Sequence, residues 1–296
     1  MIIAEANNQF AAQTSLADYI ICTVGLIFFG YWLLKTSWGK NALADSPTRR
    51  NNIPLYLPFI PLIIWMSGIS LAIAIAEKAL PDLSNWQREF VNNMILCVCT
   101  IAGAVLILHL AETYFARRLK GLGLDFKKIH IDFGAAIINL VSIWPIILLV
   151  FVLTIYFGQY IHGPDFQVAQ HEELRTIAAN PQLQLRVLII VTATIVVPIF
   201  EEMLFRGLFQ TAIRRYLSRS AFFVRLQNRS LAAWVAIAIS SVVFAIAHQK
   251  IGHWPALFVL GVSLGYSYER SGSLFRPIFI HLLFNASSII STLYYG

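Results

Sequence analysis

Eight apolar runs, each close to bilayer length, constrain this chain more than any other feature. They lie at roughly 18–36, 54–77, 90–113, 133–158, 186–209, 231–249, 254–269 and 277–294. A helix needs about 20 mostly apolar residues to cross the hydrocarbon core. There every backbone N–H and C=O must be satisfied within the segment. The runs therefore predict an all-α, polytopic membrane protein of about eight transmembrane helices. The seventh run is short, and is expected to be tilted, re-entrant or partly buried in protein. Only 12% of the residues are charged and 58% are hydrophobic, against about 25% charged in soluble chains. That excludes a soluble cytosolic enzyme, a disordered tail protein and a disulfide-stapled secreted module.

The linkers give orientation, because Lys and Arg collect in cytoplasmic loops. Lys35, Lys40, Arg49 and Arg50 follow the first run; Arg117, Arg118, Lys120, Lys127 and Lys128 follow the third. Arg214, Arg215, Arg219, Arg225 and Arg229 follow the fifth. The alternate linkers differ: 159–185 sets Asp165, Glu172 and Glu173 against Arg175. The three basic linkers are assigned to the cytoplasm and both termini to the outside, in the inner membrane of a bacterium. The net charge of +7 is thereby a topology signal, and no nucleic-acid partner is expected. No Lys or Arg occurs in the first fifteen residues, so the first run is read as a retained span. Cys22, Cys97 and Cys99 lie inside apolar runs and read as small apolar filler.

Ionisable side chains inside a span cost about 2.5–3.5 kcal/mol each, so function is the default reading. The early spans are nearly clean; His109 and Glu112 lie at a span end, where snorkelling suffices. The C-terminal third is different. The fifth run reads VPIFEEMLFRGLF, with Glu201, Glu202 and Arg206 deep in apolar sequence and Pro198 upstream to kink it. Glu202 and Arg206 are four apart and share a helix face, as an ion pair would. Glu201 points about 100° away and is left without that partner. The sixth run ends FAIAHQK, placing Phe244 and His248 on one face; the eighth contains HLLFN, with His281 and Asn285 likewise four apart.

These residue types suit amide hydrolysis. A Glu or His can take a proton from water, while a His and an Asn can donate to the developing oxyanion. Glu201, His248 and His281 are also a two-His, one-carboxylate set of the kind that holds a divalent metal such as zinc. No HExxH helix is present; the His171–Glu172 pair lies in a polar linker and reads as surface. The drawn boundaries put His248 nearer the outer face than Glu201. A deeper start to the sixth span, after a dipping segment around 219–230, would bring them level.

EEMLFR at 201–206, FAIAH at 244–248 and HLLFN at 281–285 resemble the three ordered motifs of the CPBP family. That family comprises the CAAX prenyl protease 2 and bacteriocin-processing enzymes, also called abortive-infection proteins. The resemblance covers about residues 183–293, and a GLGL at 121–124 resembles a stretch found ahead of the family core. It divides the chain into an N-terminal membrane region, 1–180, and a protease-like core, 181–296. It implies a membrane-embedded endopeptidase, glutamate-dependent or metal-dependent, acting on a membrane-anchored peptide or protein near the membrane–cytoplasm boundary. Glu201 would activate water with His248 as partner, and His281 and Asn285 would hold the oxyanion. Glu202, Arg206 and Phe244 would support them. The competing readings are a non-catalytic scaffold, such as a bacteriocin-immunity or regulatory protein, and a transporter. Against the transporter, no inverted repeat is visible and only one half is polar.

Overall fold

The structure, a computed structural model, describes residues 16–47, 49–168, 172–226, 228–248 and 250–295; His171 therefore lies outside it. Each expected run is a helix. They are α1 (Leu16–Lys35), α2 (Phe59–Ala79), α3 (Asn85–Tyr114), α5 (Ile129–His162), α7 (Leu183–Arg219), α9 (Arg229–Ala247), α10 (Trp254–Ser271) and α11 (Phe275–Tyr295). Three short helices join them: α4 (Arg118–Leu122), α6 (Glu172–Ala179) and α8 (Ala221–Leu226). Among the described residues the only other pairing is an isolated antiparallel bridge between Asn51 and Phe115. Five of the helices, α2, α3, α5, α7 and α9, are long and apolar enough to cross a membrane.

The distribution of side chains is that of a protein solvated by lipid. Large apolar residues such as Ile27, Leu34, Ile63, Leu71, Leu149 and Ile246 are exposed on the outer faces. Glu202, Arg206, Gln210, Ser240, Ser267, Glu269 and His281 are buried. Polar groups inside and apolar groups outside describe a multi-pass integral membrane protein. One main hydrophobic core draws on both sides of residue 180, joining Ile107, Leu122 and Ala136 to Phe200, Leu260 and Ile280.

The basic linkers gather at one end, as the charge pattern requires. Asn52 N–H donates to the Tyr114 carbonyl, Ala116 N–H to the Arg50 carbonyl, and Arg215 Nη1 to the Ile53 carbonyl at 2.8 Å. The GLGL stretch locks this end together. Leu122 is fully buried and its carbonyl accepts from the Tyr268 hydroxyl at 2.8 Å. The Gly123 carbonyl accepts from Leu274 N–H at 2.9 Å. Gly123 has a φ of +104°, and a Cβ there would stand 2.7 Å from Leu274 N and 2.8 Å from the Gly272 carbonyl oxygen. Only glycine meets both conditions without strain.

α10 explains itself by burial. Leu257, Leu260, Gly261, Leu264, Gly265, Ser267, Tyr268 and Glu269 are all enclosed by neighbouring helices, so this segment needs less apolar surface than a lipid-facing span. That agrees with the expectation of a seventh run buried in protein.

Gly123→Ala is expected to destabilise the protein by about 1–3 kcal/mol, since backbone atoms cannot yield to the new methyl. Gly134→Ala, where nothing lies within 4 Å, should leave stability equal or slightly raised. Thermal unfolding of the two purified variants in detergent provides the comparison.

Candidate active site

Three helices bring the motif residues together. α7 carries Glu201, Glu202 and Arg206. It is not a uniform α-helix: Thr192–Val196 and Met203–Gln210 are wound as π turns on either side of Pro198. Such widened turns concentrate at functional sites. α9 ends on Phe244 and Ala247, with His248 as its extended C-cap at φ −86° and ψ 128°. α11 carries His281 and Asn285.

Glu202 is fully buried. Its Oε1 accepts from Arg206 Nη1 at 2.8 Å and contacts His281 Nδ1 at 2.8 Å. A carboxylate paired with a guanidinium only accepts, so the proton of that second bond belongs to Nδ1. Arg206 is buried as deeply. Its Nη2 donates to the Gly261 carbonyl at 3.2 Å, and its guanidinium lies 4.4 Å over the Phe244 ring. The cation is thus met by a carboxylate, a carbonyl and an aromatic face. The ion pair expected from the four-residue spacing is present.

Glu201 occupies a different environment one residue earlier. Its side chain is 14% exposed, and Oε2 lies 3.7 Å from His281 Nε2, beyond hydrogen-bond length. The imidazole therefore stands between the two carboxylates, tied to Glu202 by one nitrogen and facing Glu201 with the other. The expectation that Glu201 is left alone needs this amendment. It lacks Arg206 as a hydrogen-bond partner, but α11 supplies it with an imidazole that no single-helix wheel could show.

Phe244 packs edge-on against both histidines, 4.9 Å from His248 and 5.6 Å from His281 by ring centroids. His248 Nδ1 bonds the Phe244 carbonyl at 2.8 Å, which leaves Nε2 as the nitrogen not held by that bond. The His248 carbonyl accepts from Trp254 Nε1 at 2.7 Å. Asn285 Nδ2 donates to the Ala193 carbonyl in the first π turn at 2.9 Å, so one of its two amide protons braces α11 against α7. Among the described residues no three His, Cys, Asp or Glu side chains converge as a metal-ion site. Glu201, His248 and His281 come from three separate helices, α7, the end of α9 and α11.

The depth mismatch disappears because α7 continues to Arg219 rather than ending near 209. From Arg219 back to Glu201, and from Arg229 forward to His248, each path is about 27 Å at 1.5 Å per residue. The two residues stand level. Glu201 lies about 20 Å along α7 from the Arg214–Arg215 layer.

Residues that sequence reasoning missed form a ladder behind the site. Arg206 Nη2 reaches the Gly261 carbonyl at 3.2 Å, Gln210 Nε2 the Gly265 carbonyl at 3.0 Å and Arg214 Nε the Glu269 Oε1 at 3.2 Å. Both series advance by four, so α7 and α10 run parallel in fixed register. The signal was in the sequence as R-x3-Q-x3-R and G-x3-G-x3-E. Small residues at such spacing let membrane helices approach closely. A Cβ on Gly265 would stand 2.7 Å from Gln210 Oε1.

Comparison with known proteins agrees with the motifs. Residues 183–287 match the family model for type II CAAX prenyl endopeptidase Rce1-like proteins, a segment that contains all three motifs. The chain is 26% identical over 239 residues to the membrane-embedded CAAX protease MroQ of Staphylococcus aureus (strain USA300), covering 80% of this chain and 89% of that one. It is 31% identical over 122 residues to YdiL of Bacillus subtilis (strain 168), which bears a provisional membrane-peptidase name. That match covers 41% of this chain and 44% of YdiL, less than half of the relative's length. An uncharacterized 24.3 kDa protein of Escherichia coli is 25% identical over 131 residues, 43% of this chain and 55% of its own. No solved structure matches. The resemblance to CAAX proteases read from the motifs stands.

Arg206→Met should destabilise the protein by about 3–5 kcal/mol, because it strands the Glu202 carboxylate in the core. Adding Glu202→Gln should recover part of the loss, since the stranded charge is then gone. Thermal unfolding of wild type, single and double variants reads the difference. Equal losses in the single and double variants would refute a charge-pair origin.

Proposed function

We propose that this Rce1-like chain is an intramembrane endopeptidase that hydrolyses a peptide bond of a membrane-anchored peptide or protein, as a CAAX-processing enzyme does. The observation that carries the reading is the imidazole of His281 held between Glu202 at 2.8 Å and Glu201 at 3.7 Å. Side chains some eighty positions apart in sequence meet there.

In this reading Glu201 takes a proton from water as the oxygen attacks the scissile carbonyl. It is suited to that role because the neighbouring guanidinium is committed to Glu202. His248 presents Nε2 to the same water, its ring fixed by the Nδ1 bond to Phe244. The tetrahedral oxyanion needs donors placed in advance, and removing one such donor costs about 10²–10³ in rate. His281 serves as one. Glu202 holds the ring by Nδ1, so that Nε2, in the form that carries a proton there, is the nitrogen that donates. Asn285 serves as the other through the amide proton not used on Ala193. The protonated base returns its proton to the leaving amine. Buried surroundings strengthen each of these interactions, since water competes little inside a membrane domain.

The test compares protein N-termini in cells expressing wild type and Glu201→Gln at equal membrane abundance. Termini that depend on Glu201 are expected, with cleavage lowered by about 10²–10⁴-fold in the variant and no change in thermal stability. Asn285→Ala should lose about 10²–10³-fold. Identical profiles, with Glu201→Gln still supplying the cellular phenotype, would instead favour a non-catalytic scaffold.

A further inference from the structure

The basic end of the bundle holds an open cavity of about 920 Å³ that the peptidase reading leaves unused. It lies between the α1–α2 linker, the end of α3, the end of α7, α8 and the start of α9. Six arginines line it: Arg49, Arg50, Arg214, Arg215, Arg219 and Arg229. The only acid in the lining is Glu269, and it is already shared between Arg49 at 3.3 Å and Arg214 at 3.2 Å. Six positive charges against one negative leave an excess of five. Arg49 is further fixed by stacking 3.6 Å over the Tyr268 ring, and Arg215 is held on the Ile53 carbonyl. The side chains of Arg50, Arg219 and Arg229 have no hydrogen-bond or acid partner among the described residues. The buried Nε atoms of Arg49 and Arg215, and the Ser46 hydroxyl, are likewise without one.

A surface that merely signals topology would spread such charges into solvent. Here they converge on one concave volume, three of the guanidiniums held in place beside several buried donors without acceptors. Their fork geometry matches the oxygens of a phosphate. The rim explains how such a group arrives. Phe222 and Val224 of α8 are exposed beside Arg225, the arrangement of a segment lying in the membrane interface. Phe223 and Val224 of that segment line the cavity itself. Basic pockets on the cytoplasmic side of membrane helices are suited to anionic headgroups.

We propose that this cavity is a binding site for a phosphate group, and that the phosphate is the headgroup of an anionic phospholipid of the inner leaflet. The site stands about 20 Å along α7 from Glu201, so it is separate from the catalytic residues and independent of the peptidase reading.

Native mass spectrometry of the full-length protein, released from detergent with added phosphatidylglycerol, phosphatidylcholine or inorganic phosphate, tests it. Wild type should retain phosphatidylglycerol and not phosphatidylcholine. The triple variant Arg50→Gln/Arg219→Gln/Arg229→Gln should bind it roughly a hundredfold more weakly. These side chains hold no partner, so its unfolding temperature should stay at the wild-type value; if it falls, the single variants Arg219→Gln and Arg229→Gln carry the comparison. Lys127→Gln/Lys128→Gln, on the same face but outside the cavity, should bind as wild type does. Retention of inorganic phosphate without phospholipid, lost in the same arginine variants, would uphold the phosphate site and overturn its lipid source. Equal phospholipid retention by wild type and the arginine variants, or equal loss in the lysine control, would overturn the site.

Discussion

The bond between Glu202 and Arg206 holds the second half of this molecule in place. In a medium with almost no water, neither group tolerates solitude: an unpaired charge at the bilayer centre costs about 2.5–3.5 kcal/mol even on the most forgiving scales. Each therefore demands partners, and the partners come from every neighbouring helix. Arg206 takes the Gly261 carbonyl of α10 and the Phe244 ring of α9. Glu202 takes His281 of α11. Four helices are thus registered on one charge pair. Gln210 and Arg214 repeat the interaction down α7, so the parallel contact with α10 is fixed in register along three rungs.

The same chemistry decides what the sequence made legible. The eight apolar runs each became a helix, because lipid imposes a length and a hydrogen-bonding rule that composition alone reveals. The ends were misjudged for a physical reason. The fifth run stops near 209 because Gln210, Arg214 and Arg215 are polar, yet the helix goes on to Arg219, since those residues find partners on α10 and on the α1–α2 linker. That one misjudged end produced the apparent depth mismatch of His248. Within the site, the Glu202–Arg206 pair could be read from spacing on one helix. The approach of His281 to both carboxylates could not, because it depends on how α11 packs against the first π turn and the Val197–Glu202 turn of α7, which no propensity announces. The glycine ladder was written in the sequence as two four-residue series, but only their shared register gives either meaning.

The basic linkers play a structural part beyond orientation. Three of them fold into one layer, tied by backbone hydrogen bonds and closed by the GLGL stretch, whose buried Leu122 also packs against Gly207 on α7. Two of the three linkers belong to the N-terminal half by sequence, yet the layer receives Tyr268 and Leu274 of the C-terminal half. The core that holds the motif residues is therefore supported from below by residues that the family match does not include.

Two adjacent glutamates on one helix illustrate how position alone gives two like side chains different environments. Glu202 accepts from a guanidinium and an imidazole and is sealed from its surroundings. Both donors sit on the same oxygen, Oε1, and tie the carboxylate to α7 and α11. Glu201, turned by one residue, keeps partial exposure and a single contact too long to be a hydrogen bond. The donors that hold Glu202 also fix Arg206 and His281, which removes the competing cation and aims the remaining imidazole nitrogen at Glu201. The ion pair thus leaves the second carboxylate without a guanidinium bond, the condition that the proposed role of Glu201 requires.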